Sequence, residues 1–183
     1  MADAGDRAWV PGGHLVLVGL PGAGKSVLGA SLARRLRLPF LDFDVEIERR
    51  EGLSVVEIFA RRGEAYFRAR ERELTAELMA APPAVLAPGG GWVANHGVTA
   101  LLRPPARIIY LKVRPETALA RLGASRAERP LLRVPDPLAE LQRLLREREP
   151  YYLSADLVVE ADIVDIQELT NVLERLASTP RGG

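Results

Sequence analysis

The chain has 183 residues, 48% of them apolar and 27% charged, with a formal net charge of +1. That length supports one α/β domain with a real core, and the balanced charge argues against bulk attraction to nucleic acid or to a membrane surface. Cysteine is absent, which excludes disulfides, thiol nucleophiles and thiolate metal sites and suits a reducing cytoplasm; no apolar run is long enough to span a membrane.

Residues 1–13 are polar, contain Gly and Pro, and show no periodicity. They read as a disordered leader, with Trp9 free to tuck against the domain. An apolar strand follows over about 14–19, and a helix over about 25–37 carries Leu28, Leu32 and Leu36 four apart. Between them stands Gly19-Leu-Pro-Gly22-Ala23-Gly24-Lys25-Ser26. Strand, glycine loop and helix, with G-x-x-x-x-G-K-[ST] spacing, make a phosphate-binding P-loop. Its backbone N–H groups line an anion-sized hollow, and the helix adds its positive end. Lys25 can reach the outer phosphates of a nucleoside triphosphate, and the Ser26 hydroxyl can sit on Mg²⁺. Only Lys25 and Lys112 among the 25 basic residues are lysines, so a compact ammonium at position 25 stands out.

Pro39 ends the first helix, and Phe40, Leu41 and Phe43 make a short strand that delivers Asp42 and Asp44 to its C-terminal end. Alternation sets both acids on one side of the strand. In a parallel sheet that end faces the ligand crevice. One acid can organise Mg²⁺ and its waters, and the other can meet the group to be phosphorylated. The alternative use of either acid is to cap a helix over Val45–Arg50. Ser54-Val-Val-Glu57 is a capping box opening a helix to about Arg62. Gly63 breaks it, and a longer helix over about 64–80 has Tyr66, Phe67, Leu74, Leu78 and Met79 as its core face. Arg68, Glu71 and Arg72 share another face as an ion-pair network.

Ala84–Ala87 is a buried strand ending in Pro88-Gly89-Gly90-Gly91, which lets a ligand approach the backbone closely or simply makes a tight turn. Trp92 reads as packing. Arg107–Lys112 is the fourth strand, and Pro115–Leu122 a helix with Pro at its start. The segment 123–135 is irregular and rich in Arg, Gly and Pro, which suits a mobile lid. Among Arg121, Arg126, Arg129 and Arg133, the choice for stabilising a transferring phosphoryl group is Arg129. A helix over about 137–148, a strand over 155–160, a helix over 166–177 and a loose tail, 178–183, complete the chain. His14 and His96 read as surface or loop residues without a metal site. The count predicts a single-domain, three-layer αβα sandwich on a five-stranded parallel sheet, of the P-loop type, spanning about 14–177.

The motifs together resemble shikimate kinases over nearly the whole chain. The likeness rests on Gly19–Ser26, Asp42-Phe-Asp44, Glu57-Ile-Phe59, Phe67-Arg68 with Glu71, Gly89-Gly90-Gly91, Arg129-Pro-Leu-Leu132 and Arg148-x-Pro-x-Tyr152. It implies transfer of a phosphoryl group from ATP to the 3-hydroxyl of shikimate. Lys25 would act on the phosphates within an ATP site of Gly19, Gly22, Ala23, Gly24, Lys25, Ser26, Val27, Arg121 and Arg129. Mg²⁺ would be held by Ser26 and, through water, by Asp42. Asp44 would contact the shikimate hydroxyls and act as base. Arg68 and Arg148 would hold the carboxylate, with Gly89, Gly90 and Gly91 giving backbone contacts. A cytoplasmic monomer with small-molecule partners, and no nucleic acid or membrane, is implied. Val27 replaces a frequent Thr, Phe43 is bulkier than usual between the acids, and no Arg occurs over 160–165, where Ile163 stands nearest the expected adenine contact. The rival readings are a gluconate-kinase-like enzyme and a non-catalytic metabolite sensor.

Overall fold

The structure is a computed structural model that describes residues 12–162 and 165–177. The leader before Gly12, with Trp9, lies outside the described residues, as do Ile163 and the tail 178–183. The elements in chain order are β1 (Leu15–Val18), α1 (Lys25–Leu36), β2 (Phe40–Asp42), α2 (Phe43–Glu51), α3 (Val55–Arg62), α4 (Glu64–Leu78), β3 (Val85–Ala87), α5 (Val98–Leu102), β4 (Arg107–Lys112), α6 (Pro115–Leu122), α7 (Pro137–Tyr152), β5 (Leu157–Glu160) and α8 (Ile166–Ala177).

The strands form one parallel sheet in the order β2-β3-β1-β4-β5. The central strand β1 is Leu-Val-Leu-Val with every side chain buried. A parallel strand covered on both faces needs a continuous apolar run of this kind rather than alternation. Leu15 sits between Val85 of β3 and Arg107 of β4. Helices pack α1 on α8, α4 on α5 and α6 on α7, which gives the αβα layering read from the sequence. Leu28, Leu32 and Leu36 are the buried stripe of α1, and Leu141 and Leu144 that of α7.

Several readings are corrected. The strand β2 stops at Asp42, and α2 begins at Phe43, two residues before the predicted start. Alternation along a strand therefore does not relate Asp42 to Asp44. The cause is Asp42 itself, whose Oδ1 accepts from Asp44 N at 3.0 Å and Val45 N at 3.3 Å and so caps the helix. Two short elements escaped the sequence reading: a 3₁₀ turn, Trp92–Ala94, and the five-residue α5. Helix α7 runs past Pro150 to Tyr152. A proline in the last turn removes a single intrahelical donor, and burial of Tyr152 holds that turn in place.

His14 is buried, not at the surface. Its Nδ1 accepts from Ala84 N at 3.1 Å, so its Nε2 donates to Leu78 O at 2.8 Å. The ring thereby ties the end of α4 to the start of β3. Met79 is exposed, not part of the core face of α4. Trp92 is fully buried, edge-on to Phe43 at 6.3 Å, and donates to Thr75 Oγ1 at 2.9 Å. Lys112 pairs with Glu160 at 3.3 Å on the exposed margin of the sheet, an interaction of small energetic weight.

Candidate active site

The C-terminal ends of β1, β2 and β3 carry, side by side, the Gly19–Lys25 loop, Asp42 and the Gly89–Gly91 loop. The first loop is shaped by its glycines. Gly22 has φ +84°, and a Cβ there would stand 2.3 Å from Ala118 O, so no other residue fits. Helix α1 opens on Gly24 with no side-chain cap and no acid in its first turn. Its leading N–H groups and its positive dipole end are thus left for an anion.

Lys25 folds back over this loop and donates to Gly19 O and Leu20 O, each at 2.9 Å. Burial, followed by the nearby Arg129, lowers its pKa to about 8. The Ser26 hydroxyl donates to Asp42 Oδ2. Asp42 thus spends one oxygen on capping α2 and offers the other beside Ser26. A hydroxyl and a carboxylate in contact form the hard-oxygen set that Mg²⁺ takes, with water completing its shell. The pair fits the metal that the sequence implies.

Asp44, in the first turn of α2, accepts from Arg129 Nη1 at 2.6 Å. Burial pushes its carboxyl above the ordinary value, against the pull of Arg129. Arg129 lies between two 3₁₀ turns, Gly123–Glu128 and Pro130–Leu132, which give the segment read as irregular a defined path. Arg126 and Arg133, on the same segment, are exposed.

On the far side of Asp44 lies a second recess. Arg68 and Arg148 enter it from α4 and α7, the three glycines form its floor, and Phe59, Phe67, Leu131 and Leu132 line it. Arg68 is held by Glu71 at 2.7 Å and Glu64 at 2.9 Å. Arg72 turns instead to Asn95 Oδ1 at 3.0 Å, which corrects its place in the predicted network. Glu71 has no exposed surface, and burial raises its pKa to about 7. Its Oε1 has no hydrogen-bond partner among the described residues. A Cβ on Gly89 would stand 3.0 Å from that oxygen and 3.4 Å from Asp44 Oδ1, and one on Gly91 would stand 2.4 Å from Arg68 Nη2. The glycine run is therefore a close-approach floor rather than a simple turn. With Arg129 and its neighbours overhead, the recess holds only about 60 Å³, room for a few waters.

A third, more apolar hollow of about 680 Å³ opens behind the phosphate loop. It is lined by Gly22, Ala23, Gly24, Val27 and Arg121, whose Nη2 donates to Ala161 O at 2.6 Å. The structure thus draws the residues singled out in the sequence into three adjoining spaces. It adds two that sequence reasoning had not placed there: the fully buried Glu71 carboxylate, and Tyr152, whose hydroxyl donates to Gly90 O at 2.6 Å. Among the described residues no cluster of His, Cys, Asp and Glu could by itself hold a metal ion.

Comparison with known proteins agrees with this arrangement. The shikimate kinase family profile matches residues 21–177. A shikimate kinase of Moorella thermoacetica is 47% identical over 150 residues, covering 82% of this chain and 86% of that protein. One from Pseudomonas syringae pv. syringae is 44% identical over 169 residues, covering 91% and 98%. The solved structure of Acinetobacter baumannii shikimate kinase in complex with shikimate superposes with a TM-score of 0.85 at 35% identity, covering 90% of this chain and 92% of that one.

Proposed function

The chain belongs to the shikimate kinase family, and from that premise we propose how its residues divide the transfer of a phosphoryl group from ATP to shikimate. The protein is an ATP-dependent kinase that phosphorylates shikimate; the 3-hydroxyl is the proposed acceptor, giving shikimate 3-phosphate and ADP. One observation carries the division of roles. The phosphate cradle and the two-arginine recess meet at Asp44 and Arg129, which line both. A nucleotide bound on one side and a hydroxylated acid bound on the other would bring γ-phosphorus and hydroxyl together at that junction.

The glycine loop, the start of α1 and Lys25 take the ATP phosphates, while the hollow beside Val27 and Arg121 takes the nucleoside. Arg68 and Arg148 take the shikimate carboxylate, since a guanidinium fork matches a carboxylate. Asp44 accepts the hydroxyl proton as the oxygen attacks the γ-phosphorus in line. A buried carboxyl with a raised pKa suits that proton transfer. Lys25 and Arg129 stabilise charge on the transferring group. Ser26 and Asp42 would hold Mg²⁺, which when bound neutralises phosphate charge.

Arg129 lies against Asp44 at the junction of the two spaces, where phosphoryl group and acceptor would have to meet. We infer that the segment 123–135 lifts to admit substrate, then returns with Arg129 on the phosphates and excludes water, the competing acceptor. We assign residues 14–177 to one kinase domain, working as a monomer in the cytoplasm.

The test is ADP release from ATP·Mg²⁺ with shikimate, gluconate, a nucleoside monophosphate or water as acceptor. Strong stimulation by shikimate alone is expected. Stimulation by gluconate instead would overturn the roles of Arg68 and Arg148. Binding of ATP without turnover on any acceptor would point to a sensor.

A further inference from the structure

Arg148 and Tyr152 are four residues apart on α7, so they rise from one face of the helix. Tyr152 has no exposed surface, and its ring stacks on Tyr110 of β4 with centroids 4.9 Å apart and planes 20° apart. The stack fixes where the phenol oxygen lies. That oxygen donates to Gly90 O at 2.6 Å, and the positively charged Arg148 side chain lies beside it. The same guanidinium approaches Gly90 so closely that a Cβ there would stand 3.2 Å from Nη1. One hydroxyl thus joins two parts of the acid recess that come from distant stretches of sequence. We propose that Tyr152 is a positioning residue for shikimate: through its hydroxyl it sets the orientation of the Gly90–Gly91 peptide, and with that peptide it confines the Arg148 guanidinium.

A free arginine side chain on a recess wall samples many rotamers, and each one frozen on binding lowers affinity. Neighbours that already confine the guanidinium, here the Gly90 backbone and the Tyr152 phenol, remove part of that loss. The Gly90–Gly91 peptide gains more, because glycines on both sides leave it otherwise free to flip. Anchoring the Gly90 carbonyl on Tyr152 turns the Gly91 N–H the opposite way across the trans peptide, and Gly91 lines the recess. Burial raises the Tyr152 phenol to about 12, so it stays a donor at working pH. Tyr110 offers an internal comparison. Its hydroxyl is also shielded from solvent, yet it has no hydrogen-bond partner among the described residues.

The inference rests on the proposed function, and the experiment separates the two. Tyr152→Phe keeps the ring stack and deletes the bridging oxygen. Its KM for shikimate should rise about tenfold, as for one buried hydrogen bond lost with its partners left unpaired, while kcat and nucleotide Kd stay near wild type. Tyr110→Phe, which deletes an unpartnered oxygen from the same stack, should leave the KM unchanged. Adding Tyr152→Phe to Arg148→Ala should then raise the KM by clearly less than it does in the wild-type background. A Tyr152→Phe enzyme with unchanged KM and only a lower Tm overturns the inference, as does an equal rise in Tyr110→Phe or strict additivity with Arg148→Ala. A wild-type protein that ignores shikimate overturns the proposed function and this inference together.

Discussion

Lys25 and Arg68, on the two sides of the site, are held in opposite ways. On the nucleotide side Lys25 rests on two neutral carbonyls, with no carboxylate in salt-bridge contact among the described residues. On the acid side Arg68 is clasped by two carboxylates, one of them fully buried. The difference follows the guest. A polyphosphate brings several negative charges, and under the proposed roles its receptor keeps Lys25 out of any ion pair, its desolvation already suffered before binding. A monocarboxylate brings one, and a recess with two bare guanidinium groups would be over-charged in its absence. Pairing Arg68 with Glu71 leaves the recess near neutrality while keeping guanidinium edges free.

The largest expected effect comes where the two sides meet. Asp44→Asn should lower kcat by about 10²- to 10⁴-fold, the usual weight of a positioned general base, while nucleotide affinity is retained. Steady-state kinetics with a direct binding titration checks this, and near wild-type turnover would remove Asp44 from the chemistry. Next is the clasp. Arg68→Met strands the Glu71 charge in the interior and should lower stability by about 3–5 kcal/mol. Adding Glu71→Gln should recover most of it, as read by denaturant unfolding; no recovery would mean that the charge pair is not the cause.

Lys25 sharpens the contrast through pH. Its folded-state pKa of about 8 lies below its ordinary 10.5. Between those values the unfolded chain holds more protons, so Lys25 makes stability rise with pH across that window and opposes folding below it. An arriving polyphosphate favours the charged form, so nucleotide binding near pH 9 should take up protons. Binding heats measured in two buffers of different ionisation enthalpy would reveal this, and identical heats would contradict it. The smallest effect lies away from both sides. His14→Ala deletes two buried hydrogen bonds and should lower stability by about 1–3 kcal/mol with kcat unchanged; a changed kcat would link the α4–β3 connection to the site.

Much of this was legible because periodicity and punctuation are strong signals here. The run Leu15–Val18, the leucines of α1 and the capping box at Ser54 each specify their element with little help from the rest of the fold. Strand β4, helix α6 and helix α8 fall at the residues read for them. The misses share a cause, in that their determinants are tertiary. Glu71 sits in a helix crowded with Arg and Glu, and nothing local separates it from solvated neighbours such as Glu73. Its burial comes from the glycine loop folding against α4. His14 is a lone polar residue before a strand, and only the arrival of Leu78 and Ala84 gives its nitrogens partners. Helix α5 is too short for a period to emerge. The site residues were legible as motifs, whereas the bridging hydroxyl of Tyr152 required coordinates.

Asp42 carries a lesson for anyone altering this protein. One of its oxygens faces Ser26, and the other starts the helix whose first turn bears Asp44. Truncating it to alanine would therefore erase the oxygen proposed for Mg²⁺ and unpin the neighbouring acid in one stroke, leaving the cause of any lost turnover ambiguous. Asparagine separates the two duties, since its amide oxygen caps as well as a carboxylate does but carries no charge. Comparing Asp42→Asn with Asp42→Ala thus apportions the residue's work between binding a cation and aiming a helix. Serine, an equally good cap, should likewise keep the helix and forfeit the charge.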